Sequence, residues 1–266
     1  MFSASQDTSV IIQNTKLSGI ADISFSSSID EGTEVLLSNR GINRRVNKPQ
    51  NIQCKISKNY INQDVFQDLT GLVNLSGQFV YGGEALDFDS AAITNYSISI
   101  SAQSSPKVSV TMKIYGNLTP TENILTATAN EDYENKYLDN SAYSLIVDGK
   151  SSPISDFNYS VDFDVKPTFE IDTLKSATLK FFQPETHSSS AKMQMSEQEF
   201  EQMSGLALNP SFDRDISFSI SDTGGNVLNT YSVPNASLSS QEISIGAGDF
   251  IELSVAHKGY SLSAQV

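Results

Sequence analysis

The sequence predicts a mainly β protein made of two tandem, related β-sandwich or barrel domains, each with one short helix. Three observations predict it. Apolar residues alternate with polar ones at period two through most of the ordered-looking stretches, the mark of strands buried on one face. The 266 residues include 42 serines and are only 18% charged, against roughly 25% in an average globular domain. Two segments also recur at one spacing: Ile20, Asp22, Ile23, Phe25 and Ser26 match Ile154, Asp156, Phe157, Tyr159 and Ser160, and Phe66, Gly71 and Leu72 match Phe200, Gly205 and Leu206, always 134 residues apart. Two anchors at one offset point to an internal duplication.

The elements follow in order. In DISFSSSI, Ile23 and Phe25 share a face opposite Ser24 and Ser26, so this is a strand, and KPQNIQCKIS supplies a second. A helix is predicted at NQDVFQDLTGL, with Asn62 as cap and Gly71 as stop. SGQFVYGGEALDFD reads as a hairpin about Gly82-Gly83. NYSISIS and KVSVTMKIYG alternate again. Residues 118–141 form an acidic connector, with Glu122, Glu131, Asp132, Glu134 and Asp139 against Lys136. The second copy opens at PISDFNYSVDFD. Its helix at SEQEFEQMSGL carries a capping box, Ser196 with Glu199. ISFSI, YSV, EISI and FIELSVA are its later strands. DRDISFSIS (213–221) aligns with ITNYSISIS (93–101) at a different offset, 120, which assigns the hairpin at 76–89 to the first copy as an insertion. The expected domains are 1–117 and 142–266, joined by 118–141.

The chain offers little for chemistry, and no catalytic residue, cofactor or metal is expected. Asp222-Thr223-Gly224-Gly225 has the D-T-G of an aspartic protease, but that chemistry needs two carboxylates sharing a proton, and there is no second D-T-G; a hairpin turn is the better reading. His187 and His257 lack the neighbours of a metal site and read as surface residues. Asp87 with Asp89, and Asp162 with Asp164, share the solvent side of strands rather than forming a calcium site. Cys54 sits in strand alternation as a half-buried thiol. The first ten residues have neither the basic segment nor the apolar stretch of a leader, so synthesis in the cytosol is expected, without a membrane partner.

Charge excludes one class of function and marks one region. A net charge of −14 opposes gripping nucleic acid, which requires clustered cations. From Val35 to Gln63 there is no Asp or Glu, while Arg40, Arg44, Arg45, Lys48, Lys55 and Lys58 supply six of the 17 cations. Such a basic loop on an acidic protein can register a contact with an acidic neighbour, including another copy.

The first copy opens with a strand of the type I-x-D-φ-x-φ-S, passes a long loop into KPQNIQCKIS, places a short helix, and closes with TNYSISISAQSSPKVSVTMKIYG. This pattern resembles the tail tube proteins of long-tailed bacteriophages, over Ser18 to Gly116 and, more weakly, Ser152 to Gly259. The resemblance implies a virion structural protein made in the host cytoplasm, a tail tube or tube-like adaptor, and no enzyme. Six small sandwiches join into one barrel in such rings, so two copies per chain imply a homotrimer with pseudo-sixfold symmetry, or a hexamer if copies act singly. Its partners would be other tail or neck proteins, with DNA passing transiently through an acidic lumen. Arg40, Arg44, Arg45 and Lys48 are the expected inter-subunit contacts. A β-sandwich adhesin, glycan-binding or decoration module is the alternative, in which strand tyrosines such as Tyr81, Tyr96, Tyr115 and Tyr159 would meet sugars; core packing explains them more simply.

Overall fold

The computed structural model describes residues 8–28, 31–35, 43–47, 51–60, 64–101, 104–116, 118–130, 145–147, 150–152, 154–169, 176–200, 214–221, 226–245 and 251–261. The protein is mainly β. The strands of the first half are β1 (Ser9–Ile12), β2 (Thr15–Lys16), β3 (Ile20–Ser28), β4 (Glu31–Val35), β5 (Asn43–Asn47), β6 (Asn51–Asn59), β7 (Leu75–Tyr81), β8 (Glu84–Ser101), β9 (Ser104–Ile114), β10 (Leu118–Thr121) and β11 (Ala129–Asn130). Those of the second are β12 (Leu145–Val147), β13 (Lys150–Ser152), β14 (Ile154–Phe169), β15 (Ser176–Met195), β16 (Arg214–Ser221), β17 (Val227–Ile245) and β18 (Ile251–Ser261). Helix α1 (Val65–Leu69) lies between β6 and β7, and a second helix, α2, is described over 197–200. No helix among the described residues is long and apolar enough to cross a membrane.

Period-two alternation places the strand faces as expected. In β9, Val108, Val110, Met112 and Ile114 are buried, and in β8, Tyr96, Ile98 and Ile100 are. These residues, with Phe157, Leu253, Val255 and others from the second half, form one apolar core. The hairpin between β7 and β8 turns at Gly82 and Gly83, both at positive φ, as a two-residue primed turn requires. Gly71, at φ 79°, ends α1. The α1 cap is Asp64 rather than Asn62, which lies outside the described residues: the Asp64 carboxylate accepts from the Phe66 N–H at 3.2 Å. At α2 the expected capping box is present. Glu199 accepts from the Ser196 backbone N–H at 2.7 Å, and the Ser196 hydroxyl accepts from the Glu199 N–H at 3.4 Å.

Topology repeats between the halves. In the first, neighbouring strands run β3, β6, β9, β8, β7; in the second, β14, β15, β18, β17, β16, all antiparallel. Three register shifts recur at equivalent places. One falls between Ile20 and Asp22 and between Ile154 and Asp156, one between Leu75 and Gly77 and between Arg214 and Ile216, and one between Ile93 and Asn95 and between Leu238 and Ser240. A bulge adds an unpaired residue and bends the strand, so its position is a sensitive marker of equivalence.

This arrangement corrects the third sequence anchor. The counterpart of ISFSIS in β16 is β7, LSGQFVY, and not ITNYSISIS in β8. The Gly82-Gly83 hairpin is therefore no insertion, because β16 and β17, consecutive in the chain, pair antiparallel as β7 and β8 do. Alternating Ser and Ile in both segments made the wrong strands match, since period two constrains the face and not the partner.

The halves are not separated in space. Residues 95–101 of β8 pair with 156–162 of β14, so both strand sets share one sheet and one core. Part of the expected connector also belongs to this sheet: β10 pairs with β8, and β11 runs parallel to β2. The long loop expected before KPQNIQCKIS is partly strand, and the equivalent stretch of the second half is too. β4 and β5 pair with each other, and β14 and β15 remain paired out to Phe169 and Ser176. Between β1 and β8, Gly77 lets β7 pass closely, since a Cβ there would lie 2.0 Å from the Ile11 carbonyl oxygen.

Candidate functional site

The sheet presents one polar face built from the residues that alternate with the core. Along β8 it carries Ser97 and Ser99, along β9 Lys107 and Ser109, along β14 Asn158 and Ser160, and along β15 Ser188 and Ser190. The face dips into a trough of about 440 Å³ across the β8–β14 seam, closed on its far side by Ser239, Ala256 and Lys258. Small hydroxyls leave backbone close to solvent and offer donors and acceptors without fixed charge. Charge on the face is mixed. Asp22, Asp156, Asp162, Glu242 and Glu252 alternate with the core, and so do Lys55, Lys107, Lys113, Lys192 and Lys258. Lys192 meets Glu252 at 2.9 Å, and that hydrogen bond, with its charge, raises the lysine above its ordinary value.

A second polar cluster is buried where the halves meet. Lys58, on the inward side of β6, lies 3.8 Å from Asp64 with both side chains fully buried, and its ammonium sits over the Phe66 ring. Tyr96 donates to the second Asp64 oxygen at 2.5 Å, and its hydroxyl is 3.3 Å from that of Tyr231 on β17. Asn229 donates to the Tyr231 hydroxyl at 3.2 Å and to the Gln67 side chain of α1. Burial pushes the Tyr60 phenol up to about 12 and raises Tyr96 and Tyr231 well above their ordinary value, so all three stay protonated at neutral pH. The cluster ties α1 to β17 and is enclosed by core, an arrangement suited to fixing the two halves together.

The histidines differ from their expected surface positions. His187 is on β15, partly buried, with Nδ1 2.9 Å from the Tyr159 hydroxyl and Nε2 2.8 Å from the Ser261 hydroxyl. Burial lowers its pKa, against the raising effect of Glu185. His257 is buried on β18, continuing the inward series Ile251, Leu253, Val255. Among the described residues no three His, Cys, Asp or Glu side chains are grouped to hold a metal. Asp162 accepts from Asn95 at 2.8 Å, Asp164 pairs with Lys166 at 3.0 Å, and Asp87 accepts from Gln78 at 2.6 Å. Asp222 to Gly225 lie outside the described residues, between two strands paired as a hairpin.

Cys54 is fully buried rather than half-buried, and desolvation pushes its thiol up to about 12. Iodoacetamide at neutral pH is therefore expected to leave the native protein unmodified and to add one group per chain after denaturation, read by intact mass; native modification would show that β6 opens. Of the strand tyrosines, Tyr96 and Tyr159 are core residues and Tyr115 donates to the Val165 carbonyl at 2.9 Å, but Tyr81 is exposed.

Of the four predicted contact residues, Arg40 and Lys48 lie outside the described residues. Arg44 and Arg45 are on β5, opposite Glu34 and Thr33 of β4, in a strand pair and not a loop. The buried ion pair was missed because Lys58 was counted with the basic run. Its place in the alternation after Ile52, Cys54 and Ile56 already put it on the inward face. No family model matches the chain, and no curated protein was found that matches its sequence.

Proposed function

We propose that the protein is a virion structural component, a tail tube or tube-like adaptor in which three chains close a ring around a lumen. The observation that supports this reading is the β8–β14 seam. It joins the two strand sets side by side, edge to edge, and carries one serine-rich face across the join. Continued around a ring, that face would line the lumen, and its hydroxyls would give a DNA backbone no dense cationic surface to hold. On this reading the described part of the lining would carry hydroxyls and charges of both signs, where the resemblance implies an acidic one. Other tail or neck proteins would meet the ring above and below.

The test is the mass and shape of the purified protein. Light scattering is expected to give three chains, and negative-stain images a ring with a central hole. A monomer at every concentration and ionic strength would sink the proposal. A hexameric ring would keep the tube and overturn the pairing of copies within a chain.

A further inference from the structure

The seam inside the chain has two unfilled counterparts at its ends. At the seam, β14 lies beside β8 with Phe157 opposite Ile100, Tyr159 opposite Ile98 and Val161 opposite Tyr96. By the repeated topology, β3 is the equivalent of β14, and residues 240–245 of β17 are the equivalent of 95–100 of β8. Among the described residues β3 pairs only with β6, and 240–245 only with β18, so each has one edge without a neighbour.

These edges are apolar where the seam is apolar. Phe157 and Ile98 are each 1% exposed, while Phe25 is 45% exposed, Ile243 39% and Ile245 79%. The alternation is kept: Ile23 and Phe25 stand where Phe157 and Tyr159 do, and Ile243 and Ile245 where Ile98 and Ile100 do. Edge strands in soluble proteins are commonly blunted by Lys, Pro or a short length. Neither Lys nor Pro occurs in 22–28 or 240–245.

We infer that these two edges pair with each other between chains, the partner being a second copy. β3 of one chain adds antiparallel to 240–245 of the next, with Ile23 opposite Ile245, Ser24 opposite Ser244, Phe25 opposite Ile243 and Ser26 opposite Glu242. The register is that of the seam carried through the equivalences. It buries the apolar side chains against each other and continues the serine face across the boundary, with no like charges opposed. Because the two edges differ, the contact is head-to-tail, which closes into a ring or runs on as a filament. The inference supplies the contact that the ring reading needs, and rests on that reading for closure at three.

Cysteine cross-linking tests it in the full chain, with Cys54 silent in the core. Directly opposed antiparallel residues have Cα atoms about 4.5–5.5 Å apart, within disulfide range. A Ser24→Cys chain mixed with a Ser244→Cys chain is expected to form covalent dimers under mild oxidation, and neither alone should link. A Ser28→Cys chain with Ser244→Cys, roughly 13 Å out of register, should link at least tenfold less. Linking of Ser24→Cys to itself, or equal linking by the control, would overturn the register. Ile245→Lys provides a second reading, with unchanged circular dichroism and loss of the assembly; an intact assembly would count against the junction. Rings without the cross-link would overturn this junction and leave the ring proposal, whereas the cross-link without rings would support the junction and sink the tube. A monomer that never links overturns both.

Discussion

Asp64→Ala is expected to destabilise the protein by about 3–5 kcal/mol, the range for breaking a buried ion pair by removing one partner. The substitution leaves the Lys58 ammonium in a fully buried position with its carboxylate gone. It also removes the acceptor for the Tyr96 hydroxyl and the cap on the Phe66 N–H. Loss of a cap alone costs roughly 1 kcal/mol. Asp64→Asn keeps an acceptor but not the charge, so its loss should fall between wild type and alanine. Lys58→Met should cost less than Asp64→Ala, since a flexible apolar chain fills the space and the carboxylate keeps Tyr96 as a donor. Urea midpoints at constant slope measure all three. If Asp64→Ala lies within about 1 kcal/mol of wild type, the pair does not hold α1 to the sheet.

Phe157→Ala is expected to cost about 3–5 kcal/mol as well, through lost burial and the cavity left behind. Phe157 is buried, lies opposite Ile100 at the seam, and packs on Phe218 with ring centroids 4.5 Å apart. The corresponding pair on the open edges, Ile23 and Ile245, should behave differently. Ile245→Ala, at the equivalent of Ile100, should change monomer stability by no more than about 0.5 kcal/mol, because its side chain is in solvent. Its effect should appear instead as weaker assembly, measured as the concentration at which scattering mass falls to one chain. A large monomer loss at Ile245 would mean that the edge is already covered within the chain.

Much of the fold was legible in the strands themselves. The inward series Val108, Val110, Met112 and Ile114 needed no tertiary information, and neither did the turn at Gly82-Gly83 or the box at Ser196 and Glu199. Each of these depends on contacts within a few residues. Lys58 and His257 show the limit of that approach. Both lie at the inward end of an apolar series, yet residue type argued for the surface, and the alternation was the better guide. Lys58 is tolerated there with Asp64 close by, which arrives from six residues along the chain and from a different element.

The sequence by itself determined which face of each strand is apolar, where the second helix starts, and that Ile20 and Phe66 have counterparts 134 residues on, because periodicity and capping are local properties of a chain. Only the tertiary structure decided which strands are neighbours: that β16 answers to β7 rather than β8, that β8 and β14 join the halves, and that β3 and the end of β17 lack a described neighbour on one side. Strand pairing is chosen by long-range hydrogen bonds and shared burial, and Ser-Ile alternation is compatible with many partners. The bulges at Ile20, Leu75 and Ile93 and their repeats carry the register that the alternation left open.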